Sequence, residues 1–135
     1  MLNADLTPEV RELLQQACSA AGQAYAPYSH FQVGAALRLA DGSISLGCNV
    51  ENASYGATVC AERVAVFAAC AAGRLSPERP PQMLAVTALP CALCLQVLAE
   101  FAWPDMPIWV AGKPEANEEA QCFLLQELLP HTFKL

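Results

Sequence analysis

The sequence has little charge, and basic residues are especially scarce. Charged residues make up 15% of the 135 positions, with seven Lys and Arg against 13 Asp and Glu, so the formal net charge is −6. Proteins hold the phosphates of nucleic acids with clustered Lys and Arg. This composition therefore argues against a nucleic-acid partner and favours a small or neutral ligand.

Long hydrophobic runs are also absent. No stretch approaches the roughly 18 apolar residues that a membrane span needs. Residues 1–5 have neither the basic start nor the apolar run of a signal peptide. We therefore expect a cytoplasmic protein without a membrane partner.

What the sequence does have is a high proportion of apolar residues. Hydrophobic residues account for 55% of the chain, whose length fits one domain over residues 1–135. A domain of this size cannot easily bury so many apolar side chains alone, so we expect a homo-oligomer.

Cysteine is present in an odd number. In a cytosolic chain, an odd count argues against a disulfide framework and for a metal site or buried thiols. The seven cysteines are Cys18, Cys48, Cys60, Cys70, Cys91, Cys94 and Cys122.

Hydrophobic spacing and turn residues predict a pair of hairpin strands followed by alternating helices and strands. The first helix begins at the capping pair Thr7-Pro8 and is ended by Pro27. An Asp41-Gly42 turn separates the strands of the hairpin. The predicted elements are helix 8–26, strands 31–39 and 43–50, helix 60–72, strand 83–87, helix 90–101, strand 108–110 and helix 118–129. This order indicates an α/β fold, a mixed sheet with helices on both faces.

Three of the cysteines stand in positions typical of a metal site. Cys60 lies at the start of one predicted helix, and Cys91 and Cys94, three residues apart, lie at the start of the next. Helix N-termini carry partial positive charge and free N–H groups, which stabilise thiolates. Three thiolates that converge from two helix starts can bind Zn²⁺ and leave one tetrahedral position open, as a catalytic zinc requires.

Glu62 follows the first of these cysteines by two residues. It is close to the metal without having to bind it, and it can carry protons between a zinc-activated water and a leaving amine. Cys-x-Glu followed by Pro-Cys-x-x-Cys is the pattern of the zinc deaminases. For the Cys91 and Cys94 pair alone, a redox pair, a structural metal site and plain core thiols stay open.

Five segments, in order, resemble the small homotetrameric cytidine deaminases and together extend over nearly the whole chain. They are residues 25–36, 47–55, 60–63, 90–100 and 127–133. The resemblance implies a three-layer α/β/α fold with a mixed five-stranded sheet. It also implies zinc-dependent hydrolytic deamination of cytidine and deoxycytidine to uridine and deoxyuridine, in pyrimidine salvage. A zinc-bound hydroxide would attack C4 of the base, and Glu62 would be the catalytic proton shuttle.

The same resemblance implies binding roles for individual residues. Phe31 would line the base pocket, and Ala61 would present its backbone to the base amide. Asn49 and Glu51 would hydrogen-bond the ribose, since an amide and a carboxylate can bind a pair of hydroxyls. Phe133 would reach into the site of a neighbouring subunit of the homotetramer.

Around the metal, the resemblance implies one supporting cation and has two departures. Arg63 would donate to the thiolates and offset the net negative charge of Zn²⁺ with three thiolates. Ala92 and Leu95 stand where the family usually has Gly and Arg, so Arg63 would act alone. Residues 87–90 join a strand to the Cys-x-x-Cys helix almost directly, whereas the family usually has a longer polar segment near the subunit contacts.

Three other functions are compatible with these patterns. The first is a deaminase of another aminopyrimidine nucleoside, although Asn49 and Glu51 favour a plain ribose. The second is a zinc-binding homologue with little activity, which Leu95 and the short connection favour and Glu62 argues against. The third is a redox protein that uses the Cys-x-x-Cys pair. For the assembly, a dimer is the alternative to the tetramer.

Overall fold

The computed structural model of the chain describes residues 6–113 and 118–135. At its centre lies a sheet of five strands, β1 Gly34–Arg38, β2 Ile44–Cys48, β3 Met83–Val86, β4 Pro107–Val110 and β5 Gln121–Leu124. The strand order is β2-β1-β3-β4-β5, with β3 parallel to β4 and the other neighbours antiparallel. The prediction of a mixed five-stranded sheet is confirmed.

Helices cover both faces of this sheet. The helix α1 (Pro8–Ala21) packs on one face, and α2 (Ala61–Ala71), α3 (Ala92–Ala99) and the short α4 (Leu125–Leu128) pack on the other. Successive side chains of β1 point to opposite faces of the sheet. Leu37 is therefore buried in the core under α2, and Ala36 is buried in the core under α1. The three-layer α/β/α fold is confirmed. Within the described ranges, no helix combines the length and the hydropathy of a membrane span.

The first helix begins as predicted but ends early. Thr7 caps it through its hydroxyl, yet the helix stops at Ala21 rather than before Pro27. The reason lies at Tyr25, whose backbone N–H and C=O both pair with the backbone of residues 49–51. This long-range pairing requires extended backbone, which ends the helix before the proline is reached.

The helix predicted over residues 118–129 is wrong in its first half. Residues Gln121–Leu124 form β5, in register with β4 from Leu124 opposite Pro107 to Gln121 opposite Val110. Helix follows only over Leu125–Leu128. Without β5, the outer edge of β4 would leave backbone donors and acceptors unpaired, so pairing with the sheet prevails over a weak helical pattern.

The hairpin and the remaining elements lie where they were predicted, and their ends differ by at most three residues. The Asp41-Gly42 turn is also confirmed. Gly42 has a positive φ of 86°, and Leu39 N donates to Ser43 O at 2.8 Å across the turn. Glycine adopts this left-handed conformation without steric cost.

A close approach of β2 to α2 positions the start of that helix. Gly47 lies directly under the first turn, where an added Cβ would be 2.2 Å from the carbonyl oxygen of Ala61 and 2.6 Å from the backbone nitrogen of Ala65. The hydroxyl of Ser45 donates to Ala65 O at 2.7 Å in the same contact. The absence of a side chain at position 47 therefore sets the distance between the sheet and α2.

A Gly47→Ala substitution should force β2 and α2 apart. We expect overpacking to lower the free energy of unfolding by about 1–3 kcal/mol and to weaken metal binding, as measured by urea unfolding and metal analysis. Gly56→Ala is the matched control, since nothing in the described structure lies within 4 Å of a Cβ added there. Equal stabilities of the two variants would contradict the close approach.

Candidate metal centre and active site

Two helices begin at the same end of the fold and bring three thiols together. Cys60 immediately precedes α2, Cys91 immediately precedes α3, and Cys94 lies in the first turn of α3. Their Sγ atoms all lie within 4.8 Å of one another, and those of Cys91 and Cys94 are 3.6 Å apart. The structure thus joins the three thiols that the sequence pattern singled out.

This donor set fits Zn²⁺. Zn–S bonds of about 2.3 Å in a tetrahedral site place neighbouring sulfur atoms about 3.8 Å apart, which is close to the spacing of Cys91 and Cys94. Thiolates suit zinc, whereas Mg²⁺ and Ca²⁺ prefer oxygen ligands. Three thiolates also leave a fourth position for water or substrate.

The two thiols of α3 have different electrostatic surroundings. Partial burial opposes the ionisation of Cys91, but hydrogen bonds, chiefly from the backbone and side chain of Cys94, together outweigh it and lower the pKa of Cys91. Burial, followed by the charge of Glu62, raises the pKa of Cys94. A bound divalent cation would offset the effects at Cys94, because coordination deprotonates a thiol.

Glu62 lies in the first turn of α2 and is only 3% exposed. Burial raises the pKa of its carboxyl group, and a hydrogen bond with Cys94 counteracts part of this effect. Glu62 shares a cavity wall with Cys60 and Cys91. A carboxyl group whose affinity for protons is increased beside a metal site is suited to proton transfer.

Arg63 is in direct contact with the thiol cluster. Its Nη2 lies 3.5 Å from Cys60 Sγ and 3.4 Å from Thr58 O, and the hydrogen bond to Cys60 raises the pKa of the guanidinium. Its buried Nε has no hydrogen-bond partner in the described structure. Leu95 is 4% exposed and belongs to the apolar core. Where the resemblance implies an arginine, this position therefore supplies packing and no charge.

Cys60, Cys91 and Glu62 lie at the wall of a cavity of about 260 Å³. Its wall consists of Ser29, Phe31, Val33, Asn49, Glu51, Thr58, Cys60, Ala61, Glu62, Ala88, Leu89 and Cys91. The wall includes Phe31, Asn49, Glu51 and Ala61, for which the resemblance implies binding roles. The short connection over residues 87–90 contributes two of the lining residues.

The amide of Asn49 is already held by the backbone beside it. Its Oδ1 accepts a hydrogen bond from Val33 N, and its Nδ2 donates to Phe31 O, both at 2.8 Å. Asn49 is 8% exposed, so this pair of bonds fixes the segment that enters β1. A primary amide has two N–H donors, and one of them remains for a ligand.

The carboxylate of Glu51 is oriented by the loop that precedes β1. Its Oε1 accepts from the backbone N–H groups of Tyr28 and Ser29, each at 3.0 Å, and its Oε2 accepts from the Ser29 hydroxyl. These bonds, that of the Ser29 hydroxyl foremost, lower the pKa of Glu51 and keep it charged. No sequence pattern indicates this function of Ser29, although the residue lies within the first resembling segment.

Phe133 lies outside the cavity of its own chain. The residue is 71% exposed. Its backbone is bound by Gln96, whose Nε2 donates to Phe133 O and whose Oε1 accepts from Phe133 N, both at 3.0 Å. The sequence does not indicate this contact of Gln96, because a pairing between residues 37 positions apart leaves no local pattern.

Thiols at two helix starts, with a carboxylate two residues after the first, define the site of a zinc-dependent deaminase. Comparison with known proteins gives the same class. Residues 8–110 match the family described as the cytidine and deoxycytidylate deaminase zinc-binding region. The chain therefore belongs to the cytidine and deoxycytidylate deaminase family.

Individual relatives cover almost all of the chain. It is 42% identical over 127 residues to the cytidine deaminase of Halalkalibacterium halodurans. The match covers 90% of this chain and 91% of that protein. It is 41% identical over 131 residues to that of Sporosarcina psychrophila, with coverage of 93% and 91%. The crystal structure of cytidine deaminase from Burkholderia pseudomallei matches with a TM-score of 0.81 and 39% identity, over 95% of this chain and 100% of that one.

Removal of one thiol should empty the metal site. We expect Cys91→Ala to lose most of its zinc, because two remaining thiolates cannot complete the site. Metal analysis of the purified variants measures this directly. Cys70→Ala is the control, since Cys70 is exposed on α2 away from the three thiols and should leave one zinc per chain. Unchanged zinc in Cys91→Ala would rule out this ligand assignment.

Proposed function

We propose that the chain hydrolyses the exocyclic amino group of cytidine and deoxycytidine, giving uridine or deoxyuridine and ammonia, in pyrimidine salvage. The observation that carries the proposal is the buried carboxylate of Glu62, which shares a small cavity with thiols of the metal cluster. The relatives' names support the same substrate. We also propose that residues 1–135 form one domain that acts in the cytoplasm.

The charge of the cavity favours a free nucleoside over a nucleotide. Its wall carries the two carboxyl groups of Glu51 and Glu62, and none of its described lining residues is Lys or Arg. A phosphate bound there would meet two carboxyl groups, with no Lys or Arg among the described lining residues to pair with it. The neighbouring cavity of about 360 Å³, which shares Glu51 with the first, also has no Lys or Arg among its described lining residues.

Within this cavity we assign the base to the end near the metal and the ribose to the other end. Phe31 offers an aromatic surface to the base, and the backbone of Ala61 offers a hydrogen bond to the base amide. The oriented carboxylate of Glu51 and the remaining N–H of Asn49 are matched to ribose hydroxyls, one as acceptor and one as donor.

The proposed reaction needs two proton relays, and we assign both to Glu62. Cys60, Cys91 and Cys94 would hold the zinc, which would supply Lewis-acid activation of the water that attacks C4. Glu62 takes one proton from the water and delivers it to N3 of the base. It then takes the hydroxyl proton of the adduct and gives it to the amino nitrogen, which leaves as ammonia while the C4 carbonyl forms.

The Glu62→Gln variant tests this role. An amide keeps the shape of the side chain but cannot relay protons, so we expect a loss of about 10²–10⁴-fold in kcat with zinc content and fold preserved. Loss of cytidine absorbance, measured beside zinc per chain, gives both quantities. Glu78→Gln makes the same change at an exposed position and should leave turnover unchanged. Near-parental turnover of Glu62→Gln would remove the proton-shuttle assignment.

We further propose that the chain assembles into a homotetramer, with a dimer as the alternative. The exposed face of α2 supports an interface, since it carries no charge and consists of Phe67, Ala68, Cys70 and Ala71. Phe67 is 49% exposed. Uncharged apolar faces of this kind are typical of subunit contacts. The exposed ring of Phe133 is then available to complete the site of a neighbour.

Phe133→Ala should weaken substrate binding and assembly together. A buried aromatic at an interface contributes on the order of 2 kcal/mol or more, so we expect a raised KM for cytidine and a shift toward smaller species in sedimentation. Lys134→Ala changes the adjacent exposed residue and should alter neither quantity. If the unmodified protein is a monomer and deaminates cytidine at full rate, the site is built from one chain and this prediction is wrong.

A further inference from the structure

We propose that Gln96 is a positioning residue, which holds the backbone of the C-terminal segment so that Phe133 is presented to the active site of a neighbouring copy. This inference rests on the proposed oligomeric site and adds a residue to it. Gln96 does not line the cavity, and the metal site is formed by three cysteines. Its function is therefore sought in the contact that it makes.

The Gln96–Phe133 contact uses both polar groups of the side chain. Nε2 donates to the carbonyl oxygen of Phe133 and Oε1 accepts from its N–H, each at 3.0 Å. A side-chain amide offers one donor and one acceptor in the arrangement of a peptide group, so the contact imitates one step of a β-ladder. It fixes the main chain of Phe133, while the residue as a whole stays 71% exposed.

Little else holds this part of the chain. The helix α4 ends at Leu128, and residues 130–135, all of them described, make their hydrogen bonds only through the Gln96–Phe133 contact. Terminal segments of this kind fray unless they are tied down. Without Gln96, insertion of the Phe133 ring into a neighbour's site would first have to order a flexible segment, at a cost in conformational entropy.

The Gln96→Met variant removes both hydrogen bonds and keeps the length and helix propensity of the side chain. In the zinc-loaded enzyme we expect KM for cytidine to rise about five- to tenfold, as two modest hydrogen bonds allow, with kcat and zinc content within about twofold of the parent. Gln126→Met is the matched control, because Gln126 is exposed on α4 and its side chain makes no hydrogen bond in the described structure. Its KM should stay unchanged.

The double variant with Phe133→Ala separates positioning from a general structural effect. If Gln96 acts through Phe133, then Gln96→Met should raise KM no further in the Phe133→Ala background. Two effects that simply multiply would overturn the inference, as would an unchanged KM or a loss of zinc in Gln96→Met alone. An unchanged KM in Phe133→Ala would instead remove the proposed role of Phe133 in a neighbour's site, and this inference with it.

Discussion

The convergence of two helix starts at one end of the sheet is the constraint on which the site depends. Cys60 and Cys91 occupy equivalent places, each immediately before a helix, so a relative shift of α2 and α3 would separate the thiols directly. The sheet sets that relation, because the contact at Gly47 fixes how closely α2 approaches β2. Packing between the sheet and α2 therefore determines the geometry of the metal ligands.

Few groups offset the negative charge where the two helix starts meet. Three thiols and Glu62 supply potential negative charge within one small region, while Arg63 contacts the cluster through Cys60. Leu95 adds packing on the other side and no charge. The helix N-termini supply the remaining positive potential, since the first N–H groups of a helix have no partner within it. The metal itself would be the largest positive charge in the site, so zinc loading and the ionisation of Cys94 are coupled.

The parts of this structure that follow from local chemistry could be predicted from the sequence, and those that follow from long-range pairing could not. The Cys-x-Glu and Cys-x-x-Cys patterns place their side chains through the geometry of a single helix turn, which the sequence contains in full. The strand Gln121–Leu124 forms because it pairs with the edge of β4, and no pattern within residues 121–124 predicts that pairing. The early end of α1 has the same cause, a backbone pairing at Tyr25 with residues from the far side of the hairpin.

Two side-chain amides also make long-range contacts that no local pattern predicts. They connect the site to the proposed assembly. Asn49 and Gln96 each bind backbone far away in the chain, one beside β1 and the other at the C-terminus. Asn49 is thereby fixed within the cavity, so in its proposed ribose-binding role its second N–H would meet the ligand without first losing mobility. Gln96 lies on the same short helix as Cys94, which places the anchor of the C-terminal segment two residues from a metal ligand. Order in α3 thus serves its own metal centre and, through the proposed role of Phe133, the pocket of a neighbouring copy.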